Sequence, residues 1–286
     1  MLKKAKHYLE AAVVYLLFTA LRQFSLDSAS AIGSLMARSI GPYLSAHKTA
    51  RANLKMVFPN LSRNEQNNLL DKMWDHLGRV AAELAYLQND AILKRIKVTG
   101  AENLPAHGKP AFMFSGHIGN WELLSCLSQI GGRPITGVYR EANNPIVDDM
   151  ITRTRSPRYV NLIPKGTQGA VKLVRSIKNN EAIALLVDQK MNDGIPVPFF
   201  GRDAMTASAI AELALRYDTP IVPAYVLRTG GANFEGIIYP ALDYQKTGNK
   251  EKDVYNIMLA INQTLEGWIR KNPEQWFWVH KRWPKG

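Results

Sequence analysis

Cysteine is almost absent from the chain: Cys126 stands alone, which excludes an internal disulfide framework and a multi-cysteine metal site. A single thiol is compatible with a reducing compartment. Also missing are a G-x-x-x-x-G-K-[ST] phosphate loop, a G-x-G-x-x-G turn, a G-x-S-x-G elbow and an H-E-x-x-H helix. Their absence removes the usual marks of P-loop hydrolysis, dinucleotide binding, a serine nucleophile and a zinc hydrolase. No internal repeat, low-complexity stretch or linker is present, and neither a metal nor a cofactor is expected. Long hydrophobic runs are lacking too: residues 11–21 form an apolar stretch about half as long as the roughly 20 residues a spanning helix needs. Acidic residues are in deficit, 24 Asp and Glu against 36 Lys and Arg, for a formal charge of +12. Such a surface attracts nucleic acid, an anionic bilayer or an acidic protein. The basic residues are scattered, with no zinc finger and no aromatic-interleaved basic run, so nucleic acid is not the expected partner.

What is there divides in three. The start, Met1-Leu2-Lys3-Lys4-Ala5-Lys6, precedes the apolar stretch without a small-residue cleavage site behind it. Residues 1–24 are therefore expected to form a membrane-anchoring first helix, lying in the interface and held by Lys3, Lys4 and Lys6. A marginal span reaching back through Tyr8 and a plain first helix of the fold are the alternatives. Residues 25–95 read as a helical portion. Ile32, Leu35, Met36 and Ile40 share one face, and Leu69, Leu70, Met73, Trp74, Leu77, Val80, Leu84 and Leu87 keep the same 3.6-residue period. Both stripes are expected to pack in the core. Gly41-Pro42 and Pro59-Asn60 break the helices, and Ser62 with Glu65 marks a capping-box start.

From Ile96 to the end the pattern alternates. Short apolar runs at 111–114, 135–139, 182–187 and 221–227 are separated by helical segments near 120–130, 143–155, 167–178, 206–216 and 252–271. That order predicts an α/β domain over 96–286, with a mixed, largely parallel sheet flanked by helices.

Chemistry concentrates after the first run, in Ser115-Gly116-His117-Ile118-Gly119-Asn120-Trp121-Glu122. A strand leaving a sheet into a helix N-terminus is where α/β folds place ligands. On one helix His117 and Glu122 would lie about 140° apart. With His117 on the loop and Asn120 capping the helix, Glu122 can turn back to the imidazole as a base–orienter pair. The plain alternative is a turn histidine followed by a helix-start glutamate. Cys126 lies one turn further along an apolar helix and reads as a buried structural thiol. With no competing nucleophile, an acceptor hydroxyl would attack its donor directly.

These residues resemble the bacterial lipid A biosynthesis (lauroyl/myristoyl) acyltransferases, of the glycerolipid acyltransferase superfamily. The form His117-Ile118-Gly119-Asn120-Trp121-Glu122 resembles that family's H-x4-D/E motif. Tyr139-Arg140 with Asn143-Asn144 resembles its Y-R-x-x-N-N block, and Thr152-Arg153-Thr154-Arg155 its T-R-x-R run. Asp188-Gln189 followed by Val197-Pro198-Phe199-Phe200-Gly201 resembles its D-Q…P-F-F block. Pro273-Glu274-Gln275-Trp276-Phe277-Trp278-Val279-His280-Lys281-Arg282-Trp283 resembles its closing signature, with Lys281 where the family has Arg.

The resemblance implies transfer of a fatty acyl chain from acyl carrier protein to a lipid A precursor at the cytoplasmic face of the inner membrane. It implies that His117 is the base on the 3-hydroxyl of a chain already on the sugar, with Glu122 its partner. Arg140, Arg153 and Arg155 would bind lipid phosphate, contact the carrier or steady the thioester oxyanion, for which a planar charged fork is suited. Asn120, Asp188 and Gln189 complete the expected substrate-binding set, Asp188 alternatively capping the next turn. Asp188-Gln189-Lys190 stands where the glycerol-phosphate branch has E-G-T-R, which argues against a lysophosphatidate acceptor. Phosphatidylinositol-mannoside acyltransferases, with a similar P-F-F-G block, are the alternative, as is a non-catalytic lipid-binding protein on the same scaffold. Acyl carrier protein, anionic lipid A precursor and inner membrane are all acidic and would be drawn to one face. The tryptophans at 276, 278 and 283, beside Lys281, Arg282 and Lys285, fit either an interfacial edge or a tail packed on the core.

Overall fold

The computed structural model describes residues 2–283 apart from 107, 131 and 134. The expected anchor is helix α1, Leu2–Leu21, followed by α2, Leu26–Ile40, α3, Ser45–Val57, and α4, Arg63–Glu83. The breaks fall where the punctuation residues are. Gly41–Tyr43 is a single 3-10 turn, and Ser62 and Glu65 form the complete capping box that starts α4. No described helix is long and apolar enough to cross a membrane.

One expectation fails in this region. Leu35, Met36 and Ile40 are not core residues: they are 67%, 40% and 54% exposed. The side of α2 that packs is its small one. Ser30 and Ser34 are buried there, and a Cβ on Gly33 would sit 2.3 Å from the Gly78 carbonyl oxygen. Backbones brought that close leave no room for large side chains between α2 and α4, so those of α2 turn outward. The α4 stripe does pack as its period requires, with Leu70, Met73, Trp74 and Val80 buried.

The remaining elements are β1 (Ile96–Thr99), β2 (Ala111–Ser115), α5 (Leu124–Ile130), β3 (Ile135–Tyr139), α6 (Pro145–Arg155), β4 (Asn161–Pro164), α7 (Thr167–Lys178) and β5 (Ala182–Leu186). Then come β6 (Ile195–Phe199), β7 (Arg202–Thr206), α8 (Ala209–Tyr217), β8 (Ile221–Gly230), β9 (Asn233–Ile238) and α9 (Lys250–Lys271). Seven strands form one sheet in the order β1-β9-β8-β2-β5-β3-β4, while β6 and β7 pair as a separate antiparallel hairpin. Every pairing in the large sheet is parallel except β8 with β9. The sheet is therefore mixed and largely parallel, as the alternation of segments implies. Strand β2 is buried along its whole length, the condition of a central parallel strand covered on both faces. Its Phe112 and Phe114 join one core with Leu173, Ile210 and Trp268, and Met113 joins another with Leu124 and Leu127.

The helical portion and the sheet are tied by a buried ion pair. Glu83, at the end of α4, is fully buried and receives both terminal nitrogens of Arg228 from β8, at 2.6 and 2.7 Å. Ser30 of α2 and Asn120 donate to the same carboxylate at 2.7 Å each. All four bonds are charge-assisted, so the carboxylate is fully satisfied. Removing one partner of such a pair leaves a buried charge uncompensated, which costs about 3–5 kcal/mol. Glu83→Ala is thus expected to destabilise by that amount in urea denaturation. Glu83→Leu combined with Arg228→Met should recover part of the loss, and equal destabilisation of the single and double variants would contradict the pairing.

Candidate active site

Strands β2 and β5 are parallel neighbours, with Ser115 opposite Leu186. Their carboxyl ends therefore release Gly116-His117 and Asp188-Gln189 side by side. The Val187 amide donates to the Ser115 carbonyl at 3.0 Å, carrying the pairing one step past the strand end. Asp188 Oδ1 then accepts from His117 Nδ1 at 2.7 Å, and Oδ2 accepts the His117 backbone amide, also at 2.7 Å. Trp276 Nε1 donates to the same Oδ2 at 2.9 Å. Burial works to raise the Asp188 carboxyl, but the charge and hydrogen bonds of His117 and the Trp276 donor outweigh it and hold the group far below the usual carboxylate range. An ionised Asp188 can only accept, so Nδ1 carries a proton, and in the neutral ring Nε2 carries the lone pair. Gln189 Nε2 lies 3.2 Å from that lone pair.

The loop holding His117 is clamped along its length. Gly119 has φ +58°, and a Cβ there would lie 1.9 Å from the Val226 carbonyl oxygen, so only glycine passes. The Asn120 amide donates to that same carbonyl at 2.8 Å. On the other side the closing segment runs antiparallel to the loop: Gly119 N–H donates to Gln275 O at 2.9 Å, and Phe277 N–H to His117 O at 3.0 Å. His76 of α4 lies 3.0 Å from the Gly119 carbonyl, and its burial pushes its pKa down to about 3. The His117 ring is flanked by Trp121 and Phe277, with centroids 5.2 and 5.7 Å away.

Glu122 does not orient His117, contrary to expectation. It sits in the 3-10 turn Trp121–Leu123 ahead of α5, and its carboxylate is taken bidentately by Arg155 from the end of α6, at 2.6 and 2.8 Å. A bidentate fork holds both oxygens in one plane, so nothing is left over to turn back to the imidazole. Desolvation of Arg155 is overcome by Glu122, which raises the guanidinium further. The role expected of Glu122 belongs, by position, to Asp188.

The other expected residues separate. Arg140 and Gln189 join His117, Glu122 and Arg155 around a cavity of about 220 Å³ at the carboxyl ends of β3 and β5. Asn120 is excluded from it: the side chain is 1% exposed, its oxygen accepts from the Glu122 amide and its nitrogen reaches Glu83. It caps the turn, as expected, and does not line the cavity. Arg153 is also outside, 79% exposed and paired with Asp149 one helical turn back. Lys165, Tyr159 and Trp121 line the cavity although the motif reading assigned them no part in it. Lys165 was findable as the first residue beyond β4, but the short apolar run 161–164 did not stand out as a strand.

The closing tryptophans pack on the core and form no interfacial edge. Trp276, Trp278 and Trp283 are 1%, 0% and 8% exposed, and Lys285 lies outside the described residues. His280 accepts the Lys190 amide at 2.9 Å, which steadies the turn after Gln189, and burial lowers its pKa to about 4. Cys126 is enclosed and burial pushes its thiol up to about 11, the state of a structural cysteine. No group of three or more metal-ligating side chains occurs among the described residues.

A histidine held by a buried carboxylate, with its free nitrogen facing a cleft, is the arrangement that takes a proton from an attacking hydroxyl. Comparison with known proteins identifies the family. The model of the family described as "Bacterial lipid A biosynthesis acyltransferase" matches residues 2–285. The chain belongs to that family. A lipid A biosynthesis acyltransferase of Haemophilus influenzae is 25% identical over 241 residues, 80% of this chain and 73% of that one. The Escherichia coli palmitoleoyltransferase is 24% identical over 268 residues, covering 88% and 83%. The E. coli lauroyltransferase is 26% identical over 248 residues, covering 82% and 78%. Among solved structures, the 1-acyl-sn-glycerophosphate acyltransferase of Thermotoga maritima matches 82% of this chain and 98% of its own at 14% identity and a TM-score of 0.37. In this acyltransferase the H-x4-E motif thus contributes its two residues to two different ion pairs, His117 to Asp188 and Glu122 to Arg155.

Proposed function

We propose that the acyltransferase moves a fatty acyl chain of the lauroyl or myristoyl class from acyl carrier protein to the 3-hydroxyl of an acyl chain on a lipid A precursor, with His117 as general base. The observation that carries this reading is the His117–Asp188 pair, with Nε2 open to the cleft. The acceptor hydroxyl displaces the Gln189 amide from Nε2 and gives up its proton there. Its oxygen attacks the thioester carbonyl carbon, forming a tetrahedral oxyanion. Collapse expels the carrier's thiolate, which takes the proton back from the imidazolium. Asp188 stays ionised throughout and stabilises the imidazolium, the usual work of a buried carboxylate behind a histidine. Arg155, fixed by Glu122 through Nε and Nη2, keeps Nη1 for the developing oxyanion or for substrate. No covalent acyl-enzyme is needed, because the thiol of Cys126 is buried and protonated.

The membrane reading rests on apolar surface. Leu9, Val13 and Leu16 on α1 and Leu35, Ile40 and Tyr43 around α2 are each more than half exposed, and such a patch marks an interaction site. Asn144 ties α1 to α6, donating to the His7 carbonyl at 2.8 Å and to Glu10 at 3.0 Å. The lipid-facing helix thereby abuts the helix that delivers Arg155. This supports α1 lying in the interface at the cytoplasmic face of the inner membrane, where the +12 charge favours an anionic leaflet and an acidic carrier.

Mass spectrometry of a reaction containing acylated carrier protein and a hydroxyacyl lipid A precursor tests the chemistry. Wild type should add one acyl chain. His117→Ala should lose about 10²-fold or more in rate with its melting temperature kept, whereas turnover at the wild-type rate would refute the base. For the membrane, Leu9→Glu with Leu16→Glu, both at exposed positions, should weaken co-sedimentation with anionic vesicles several-fold. Unchanged co-sedimentation would remove α1 from the interface.

A further inference from the structure

The side of the molecule built from α7, α8 and the start of α9 carries charge that the site does not use. Lys172, Arg175 and Lys178 on α7, Arg216 on α8 and Lys250 on α9 are all exposed. Among the described residues none of the five enters an ion pair. The Arg216 guanidinium lies 5.5 Å from the ring centroid of Tyr217, a cation–π contact that steadies it. Opposing carboxylates are few and engaged. Glu181 and Glu212 each accept from a hydroxyl, of Thr136 and Ser208, and Asp218 is taken by Lys246. Glu251 and Lys252, next to Lys250, cancel each other. None of the five cations falls in a motif block of the family.

An apolar groove runs among these charges. A cavity of about 590 Å³ separates α7 from α8, walled by Leu173, Val174, Leu213 and Leu215, with Arg216 and Lys250 in its lining. Val171 of α7, 72% exposed, adds apolar surface beside it. The groove shares Ala170, Leu173 and Ala209 with a second cavity of about 460 Å³. That one shares Leu185, Leu186 and Gln189 with the cavity holding His117. The three adjoin in sequence, from the α7–α8 surface to the imidazole. The lipid-facing helix lies on the other side of the sheet. Helix α1 packs on α6, and Arg158, in the turn that ends α6, donates to Gln129 of α5 at 3.0 Å. Helix α5 covers the Met113 face of the sheet, whereas α7 and α8 cover the Phe112 face. With α1 in an interface, the α7–α8 face is turned to water.

We propose that the α7–α8 face is the docking surface for the acidic carrier protein, whose arm brings the acyl thioester through the adjoining cavities to His117. This deepens the acyltransferase reading and rests on it. Charge complementarity selects the occupant. Unpaired cations around an apolar groove match a protein surface of carboxylates with a few apolar side chains, and opposite charge steers such a partner before contact. An anionic bilayer is the weaker candidate, because a membrane lying on α7 and α8 would leave the exposed apolar residues of α1 in water. Donor and acceptor then reach the imidazole from opposite faces of the sheet, the soluble one past α7 and α8 and the lipid past α1 and α6.

The test is equilibrium binding with no acceptor present, so it reads no turnover and stands apart from the test of the chemistry. Fluorescence anisotropy follows labelled acyl carrier protein, bearing a dodecanoyl amide in place of the thioester, as the full chain is titrated in neutral detergent micelles. Wild type should bind, and more weakly as salt rises. Lys172→Glu with Arg175→Glu, and separately Arg216→Glu with Lys250→Glu, should each weaken binding roughly tenfold or more. Glu212→Gln removes the carboxylate from the groove and should tighten binding, a gain that a folding defect does not produce. Arg153→Glu on α6 is the exposed control and should bind as wild type does. Co-sedimentation with anionic vesicles should be equal for wild type and both double variants. Three results overturn the docking face: no binding by wild type, carrier affinity unchanged in both double variants, or a loss confined to Arg153→Glu. Vesicle binding lost in place of carrier binding would assign the face to the bilayer. All substituted positions are exposed, and melting temperatures serve as the folding control.

Discussion

The contact between His117 and Asp188 is the constraint on which the rest of the site depends. One carboxylate holds the histidine twice, by its backbone amide and by Nδ1, and therefore fixes the loop and the ring together. For that grip β2 and β5 must be adjacent and parallel, so that both residues leave the sheet at the same end. Gly116 keeps the approach open, because a Cβ there would lie 3.0 Å from Asp188 Oδ2 and press on the carboxylate. The closing segment must fold back over the loop, because Trp276 supplies the third donor that keeps a buried carboxylate ionised. Residues 160 positions apart in the chain are thus parts of one device.

A second ion pair divides the labour. Glu122–Arg155 also lines the small cavity and joins α6 to the turn ahead of α5. Because Arg155 is held through two of its three nitrogens, its charge is preorganised and needs little rearrangement when negative charge develops on substrate. A third pair, Glu83–Arg228, lies behind the loop and acts through Asn120. The three pairs surround one turn of chain. Its position is fixed from the sheet, from α6 and from the helical portion, the last of which carries the outward-facing apolar residues of α2.

Much of this was legible in the residues. The mixed, largely parallel sheet followed from alternating runs, and the capping box and the Gly41-Pro42 break fell where the local chemistry puts them. His117, Arg140, Arg155, Asp188 and Gln189 converge as the motif blocks imply. What was not legible depended on contacts between distant segments. Spacing within one motif made Glu122 the natural partner for His117, but the competition was decided by Asp188, 71 positions later, and by Arg155, 33 positions later. The α2 stripe misled because helical period identifies a face without saying which face packs. Glycine and serine decided that by letting the backbones approach. Strands β6 and β9 escaped notice because two prolines interrupt one and a half-exposed pattern dilutes the other.

The central claim is that Asp188, and not Glu122, sets the protonation of His117. Nitrogen-15 NMR of histidine-labelled protein reads it directly, because the two ring nitrogens differ by which one bears hydrogen. The account predicts an Nδ1–H tautomer for neutral His117 in the wild type, unchanged in Glu122→Gln and lost or mixed in Asp188→Asn. An Nε2–H tautomer in the wild type, or one that responds to Glu122→Gln and ignores Asp188→Asn, would contradict it.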